Sequence, residues 1–86
     1  MNKPKNTMKV SFPSRGANEG LARMLVAAFI TEADPTVEEL CDIKTAVSEA
    51  VTNCIVHAYP DRIGEIYIAA SLSESNLVTI KVRDRK

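Results

Sequence analysis

The run from Asp34 to Pro60 constrains this chain more than any other segment, because both ends of a helix are written into it. Thr36-Val37-Glu38-Glu39 has the form of a capping box. The Thr36 hydroxyl can accept from the backbone N–H three residues on, and Glu39 can reach back to the N–H of Thr36. Asp34-Pro35 closes whatever precedes it, since the residue before a proline is pushed out of the helical region. At the far end the ring of Pro60 cannot continue the ladder, so Tyr59-Pro60-Asp61-Arg62 reads as a loop. The spacing predicts a helix to about Ala58, roughly six turns. With 86 residues in all, a chain built on such a helix forms one small domain with a thin core.

The flanking segments supply the partners for that helix. Met8, Val10 and Phe12 alternate with Lys9 and Ser11 and read as a strand that Pro13 ends or keeps at a sheet edge. Residues 1–7 are polar and are expected to fray, leaving 8–86 as the folded part. Leu21, Leu25, Ala28 and Phe29 follow a helical repeat up to about Ala33, with Ser14 or Asn18 as the candidate cap. After Gly64, Ile66, Ile68, Ala70 and Leu72 alternate with Tyr67, Ala69 and Ser71. Ser73-Glu74-Ser75-Asn76 is turn-like, and Val78, Ile80 and Val82 alternate in the strand beyond. The order β-α-α-β-β predicts an α+β fold with two helices on one face of an antiparallel sheet.

Charge and cysteine usage narrow the function classes. Eleven basic and eleven acidic residues cancel, so no global field draws the chain to nucleic acid or an anionic membrane. No apolar run approaches the ~20 residues that span a bilayer, and the sparse lysines at the start do not make a signal peptide. A soluble cytoplasmic protein is the expectation. Cys41 and Cys54 lie on the long helix, roughly 20 Å apart at 1.5 Å per residue, beyond the reach of a disulfide. Both are expected to be packed in the core.

The long helix has an unusual outer side. Between Thr45 and Ala58 its one charged residue is Glu49. Val47, Val51 and Ile55 stack in one stripe, and Glu49, Asn53 and His57 each lie about 200° from it. Two readings are open from spacing alone. Either the helix is mostly buried with its few polar groups locally satisfied, or these side chains line a partly covered cleft prepared for a ligand or metal.

The wider string Asp34-Pro35-Thr36, Glu39-Leu40, Ile43-Lys44-Thr45 and Val47-Ser48-Glu49-Ala50-Val51-Thr52-Asn53, with Ile55, His57 and Tyr59, resembles the N box of the sporulation anti-sigma-F serine kinases. These belong to the GHKL superfamily with gyrase and the sensor histidine kinases. Ala22-Arg23, Val26-Ala27 and Phe29 are similar to the family's first helix, and Val82-Arg83-Asp84 falls where its Asp-x-Gly-x-Gly box begins. The resemblance implies an incomplete GHKL-type sandwich and a parent protein that holds sigma factor F. It further implies that the parent uses ATP and Mg²⁺ to phosphorylate a serine of an anti-anti-sigma factor. Asn53 would then be the magnesium ligand beside the ATP phosphates, Glu49 the general base, and Asp84 the acceptor for the adenine amino group. Arg23 would lie on the partner-binding helix face. His57 is expected to pack or to hydrogen-bond at the helix end.

After Asp84 the family requires a glycine two positions on, where this chain has Lys86. The glycine boxes and ATP lid are not among these residues, so the chain by itself is expected to bind ATP·Mg²⁺ weakly and not to catalyse. The alternatives are a non-catalytic module that dimerises through the first strand and helix while holding the sigma factor, or a general-stress anti-sigma kinase. A homodimer is implied by the same resemblance.

Overall fold

The computed structural model of the chain describes residues 4–85, Arg85 by its backbone alone. The elements are β1 (Pro4–Pro13), α1 (Ala17–Ile30), α2 (Val37–Asn53), β2 (Glu65–Ser73) and β3 (Val78–Arg85). A 3₁₀ turn, Thr31–Ala33, prolongs α1, and a π-helical turn, Cys54–Ala58, prolongs α2. The strands form one antiparallel sheet in the order β1-β2-β3. Both helices pack on one face of it, which is the expected α+β arrangement.

The core lies between the helices and the central strand. Ile66, Ile68, Ala70 and Leu72 of β2 are buried while the residues between them are half-buried, so β2 obeys the period of two along its length. Three of the six most deeply buried large side chains, Ile66, Ile68 and Leu72, come from this strand. Each contributes about 1.5–3 kcal/mol on burial, which makes β2 the main anchor of the sheet. Ala22, Val26, Phe29 and Ile30 of α1 and Val47 and Val51 of α2 close over it.

Three expectations are corrected. The first strand starts at Pro4 rather than Met8, so residues 4–7 pair with β2 instead of fraying. Their side chains are all exposed and carry no alternation to read. Contacts to the end of α1 hold them, with Asn6 Nδ2 3.3 Å from Glu32 Oε1 and Lys5 Nζ 3.8 Å from Glu32 Oε2. Residues 1–3 of the expected frayed stretch, and Lys86, lie outside the described residues. In α1 the buried stripe is Ala22, Val26, Phe29 and Ile30, while Leu21 and Ala28 are exposed. Apolar residues occur on several sides of this helix, and the small Ala22, fully buried, is what lets it approach the sheet. Neither Ser14 nor Asn18 caps α1, whose N-cap is Gly16 with no side-chain bond. Ser14 instead exchanges two bonds with Gly64, its N–H donating to the Gly64 carbonyl at 3.0 Å and its Oγ accepting from the Gly64 N–H at 2.8 Å.

Candidate functional site

The start of α2 is fixed as its sequence dictates. The Glu39 N–H donates to Thr36 Oγ1 at 3.0 Å, and the Thr36 N–H donates to Glu39 Oε1 at 2.8 Å. Rotation about the helix axis is then set by Val47 and Val51, which are buried, and Ile55, which is half-buried. Glu49, Asn53 and His57 emerge exposed on the other side. A carboxylate and a carboxamide are thereby held one turn apart, about 6 Å along the axis. His57 is exposed rather than packed.

Beside Glu49, a shallow cavity of about 270 Å³ lies between the two helices, lined by Arg23, Cys41, Lys44, Thr45, Ser48 and Glu49. Arg23 and Glu49, from different helices, thus share one depression. Glu19 organises it, its Oε1 lying 3.3 Å from Arg23 Nε and accepting from Ser48 Oγ at 2.8 Å. The Glu19–Arg23 pair was visible in the sequence as an i,i+4 ion pair, whereas the bond from Ser48 across the helices had no local signal. Cys41 is exposed here, contrary to the expectation of core packing, while Cys54 is buried.

Asp84 is exposed near the end of β3 and apart from the Arg23 cavity. It lies within electrostatic reach of the buried Cys54, at the start of the turn that prolongs α2. Burial pushes the Cys54 thiol pKa up, and the Asp84 carboxylate acts on it in the same direction. Among the described residues no hydrogen bond joins Asp84 to Asn53 or Glu49. Cys54 directly follows Asn53 but is buried where Asn53 is exposed.

The π-helical turn begins at that point. The Tyr59 N–H donates to the carbonyl of Cys54, five residues back, at 3.2 Å. Such turns widen a helix by one residue and recur at functional sites. Here the widening ends with Tyr59 turned into the core, 3% exposed, its hydroxyl donating to the Glu65 carbonyl at 3.0 Å. No periodicity in the sequence announces it.

Among the described residues no group of three or more His, Cys, Asp or Glu side chains could hold a metal ion. The residues do suit a cation that is held mainly by a ligand. Mg²⁺ keeps several waters and takes one or two protein oxygens beside substrate phosphates, and the exposed Asn53 carboxamide offers such an oxygen. Among the described residues no helix is long and apolar enough to cross a membrane.

Residues 12–86 match the family model of the histidine kinase-like ATPase domain. Among curated relatives, the chain is 56% identical over 79 residues to an anti-sigma F factor of Thermoanaerobacter sp., covering 92% of this chain and 54% of the relative. It is 51% identical over 75 residues to an anti-sigma F factor of Clostridium kluyveri, covering 87% and 53%. To that of Priestia megaterium it is 48% identical over 81 residues, covering 93% and 55%. The chain therefore spans about half the length of the curated relatives it matches.

Proposed function

The chain belongs to the histidine kinase-like ATPase domain family, and from that premise we propose that it is part of an anti-sigma factor that sequesters sigma factor F during sporulation in the cytoplasm. The whole protein, on this reading, uses ATP and Mg²⁺ to phosphorylate a serine of an anti-anti-sigma partner. The observation that carries the nucleotide side of the proposal is the exposure of Glu49 and Asn53 one turn apart on the charge-poor side of α2.

Each residue has a definite task in this scheme. The Asn53 carboxamide oxygen would hold Mg²⁺, which when bound neutralises charge on the phosphates. Glu49 accepts the proton of the attacking serine hydroxyl, a task for a carboxylate within hydrogen-bond reach of it. Asp84 accepts a hydrogen bond from the adenine amino group. All three side chains are exposed, and these 86 residues by themselves are proposed to hold ATP weakly.

Arg23 carries the partner side. It is exposed and oriented by Glu19, and α1 also exposes Leu21 at 42% and Met24 at 72%. Exposed apolar groups on the same helix as a pre-oriented guanidinium give α1 residue types found at interface centres. A homodimer formed through β1 and α1 would use the same end of the molecule. The test is sigma factor F binding to the wild-type chain and to Arg23→Ala. Retention by the wild type and a loss of about 2 kcal/mol, some thirtyfold in Kd, are expected. No retention by the wild type would overturn the proposal.

A further inference from the structure

The sheet face that carries no helix has a composition of its own. Lys9 pairs with Ala69 and Ala69 with Lys81, and in the next row Ser11 pairs with Tyr67 and Tyr67 with Arg83. Adjacent strands lie about 4.8 Å apart, so the outer two place Lys9 and Lys81 roughly 10 Å from each other. Between them stands only the methyl of Ala69. The result is a trough of about 510 Å³ lined on its polar side by Lys9, Ser11, Tyr67, Lys81 and Arg83. No carboxylate is among the residues lining it. Ion pairs among the described residues join Lys5 to Glu32 and Arg23 to Glu19, and leave Lys9, Lys81 and Arg83 unpaired. Glu65, two positions from Tyr67 on β2, accepts from the Tyr67 hydroxyl at 2.7 Å.

This concentration of cations does not reflect a basic chain, since acids and bases balance at eleven each. Charge is instead separated by layer. From Ala17 to Asn53 the helical layer carries seven carboxylates against two cations, Arg23 and Lys44. Unpaired cations of one sign on a walled surface raise the local concentration of an oppositely charged partner.

We propose that this trough is a docking surface for an acidic polypeptide segment of a partner protein, whose carboxylates lie across the rows Lys9–Ala69–Lys81 and Ser11–Tyr67–Arg83. The inference is independent of the nucleotide reading, because it uses the opposite face of the sheet. Nucleic acid fits less well. A sheet that reads single strands stacks bases on several aromatic rings, and among the described residues this face has one, Tyr67. A second copy also fits less well. Presenting the same face would oppose like charges, and presenting its acidic helices would make a head-to-tail contact that does not close.

The experiment titrates the ¹⁵N-labelled chain with an oligoglutamate peptide and follows amide shifts. Wild type, the triple variant Lys9→Gln/Lys81→Gln/Arg83→Gln, and Lys44→Gln are compared. Shifts confined to the open face are expected, with affinity falling about tenfold or more in the triple variant and on raising salt, and with Lys44→Gln unchanged. All three substituted positions are exposed, and a melt matching wild type checks the fold. If the triple variant melts early, Lys81→Gln and Arg83→Gln are read singly, each expected to weaken binding. Shifts on α1 and α2, affinity indifferent to these substitutions, or tighter binding of a single-stranded oligonucleotide would overturn the proposal. So would sedimentation in which the triple variant turns a dimer into a monomer, since a second copy would then cover the face.

Discussion

Asn53 and Glu49 are exposed and unburdened by packing, so substitutions there separate chemistry from folding. On the proposed reading, in a longer protein carrying the complete ATPase domain, Asn53→Ala is expected to lose phosphoryl transfer together with Mg²⁺-dependent ATP affinity. Glu49→Gln is expected to lower kcat by about 10²–10⁴ with little change in nucleotide affinity. Single-turnover kinetics and calorimetry read the two effects, and an unchanged rate in Glu49→Gln would remove it from the base role. Gly64 tests the opposite property. A Cβ there would overlap the Tyr59 ring, while its backbone is tied on both sides to Ser14. Gly64→Ala must therefore displace the aromatic ring that closes the core under the π-helical turn. A loss of about 1–3 kcal/mol is expected, read as a fall in the urea midpoint at unchanged slope, whereas a wild-type midpoint would mean the ring moves freely.

The elements legible in the sequence were those whose signals are local. The capping box of α2, the stop at Pro60, and the alternation of β2 and β3 each involve residues within a few positions of one another. What was not legible depends on contacts distant in the chain. Residues 4–7 become a strand because the long β2 offers backbone partners, and α1 turns its Ala22 face inward because the sheet admits a small residue there. The π-helical turn arises where the helix must deliver Tyr59 to a slot above Gly64, 5 residues on. In the candidate site, the exposed positions of Glu49 and Asn53 followed from the stripe of valines, while the Glu19–Ser48 bond needed both helices in place. The α2 start can be tested directly. Thr36→Ala removes an N-cap and is expected to cost about 0.5–2 kcal/mol. The Thr36 backbone N–H, and then its hydroxyl, hold Glu39 below its ordinary carboxylate pKa. A depressed folded pKa contributes stability above the unfolded value, lost as pH falls through the folded one. Glu39→Gln should thus flatten this part of the acid limb in a plot of Tm against pH, and an unaltered limb would show that the box does not titrate with folding.

At the scale of the whole molecule, β3 has β2 on one side and no strand on the other among the described residues. Its free edge exposes N–H and C=O groups that template pairing with another chain. Beside that edge, an apolar groove of about 360 Å³ runs between α2 and β3, lined by Ile43, Ala46, Val47, Ala50, Val78, Ile80 and Val82. Covering it contributes about 25 cal/mol per Å², and the β-branched residues of β3 favour strand pairing. The basic open face opposes stacking of two copies, but the edge and groove lie at the side of the sheet and escape that repulsion. The 86-residue chain is accordingly expected to self-associate through β3, with a dissociation constant of roughly 10 μM or tighter, about −7 kcal/mol. Val82→Lys places a charge at the rim of the groove and should weaken association without unfolding the chain, because Val82 is only half-buried. Sedimentation across tens of micromolar, run beside circular dichroism, separates the outcomes. A monomer at every concentration, with a cooperative melt, would mean that α2 closes over β3 in solution and that the groove has no drive to recruit a second chain.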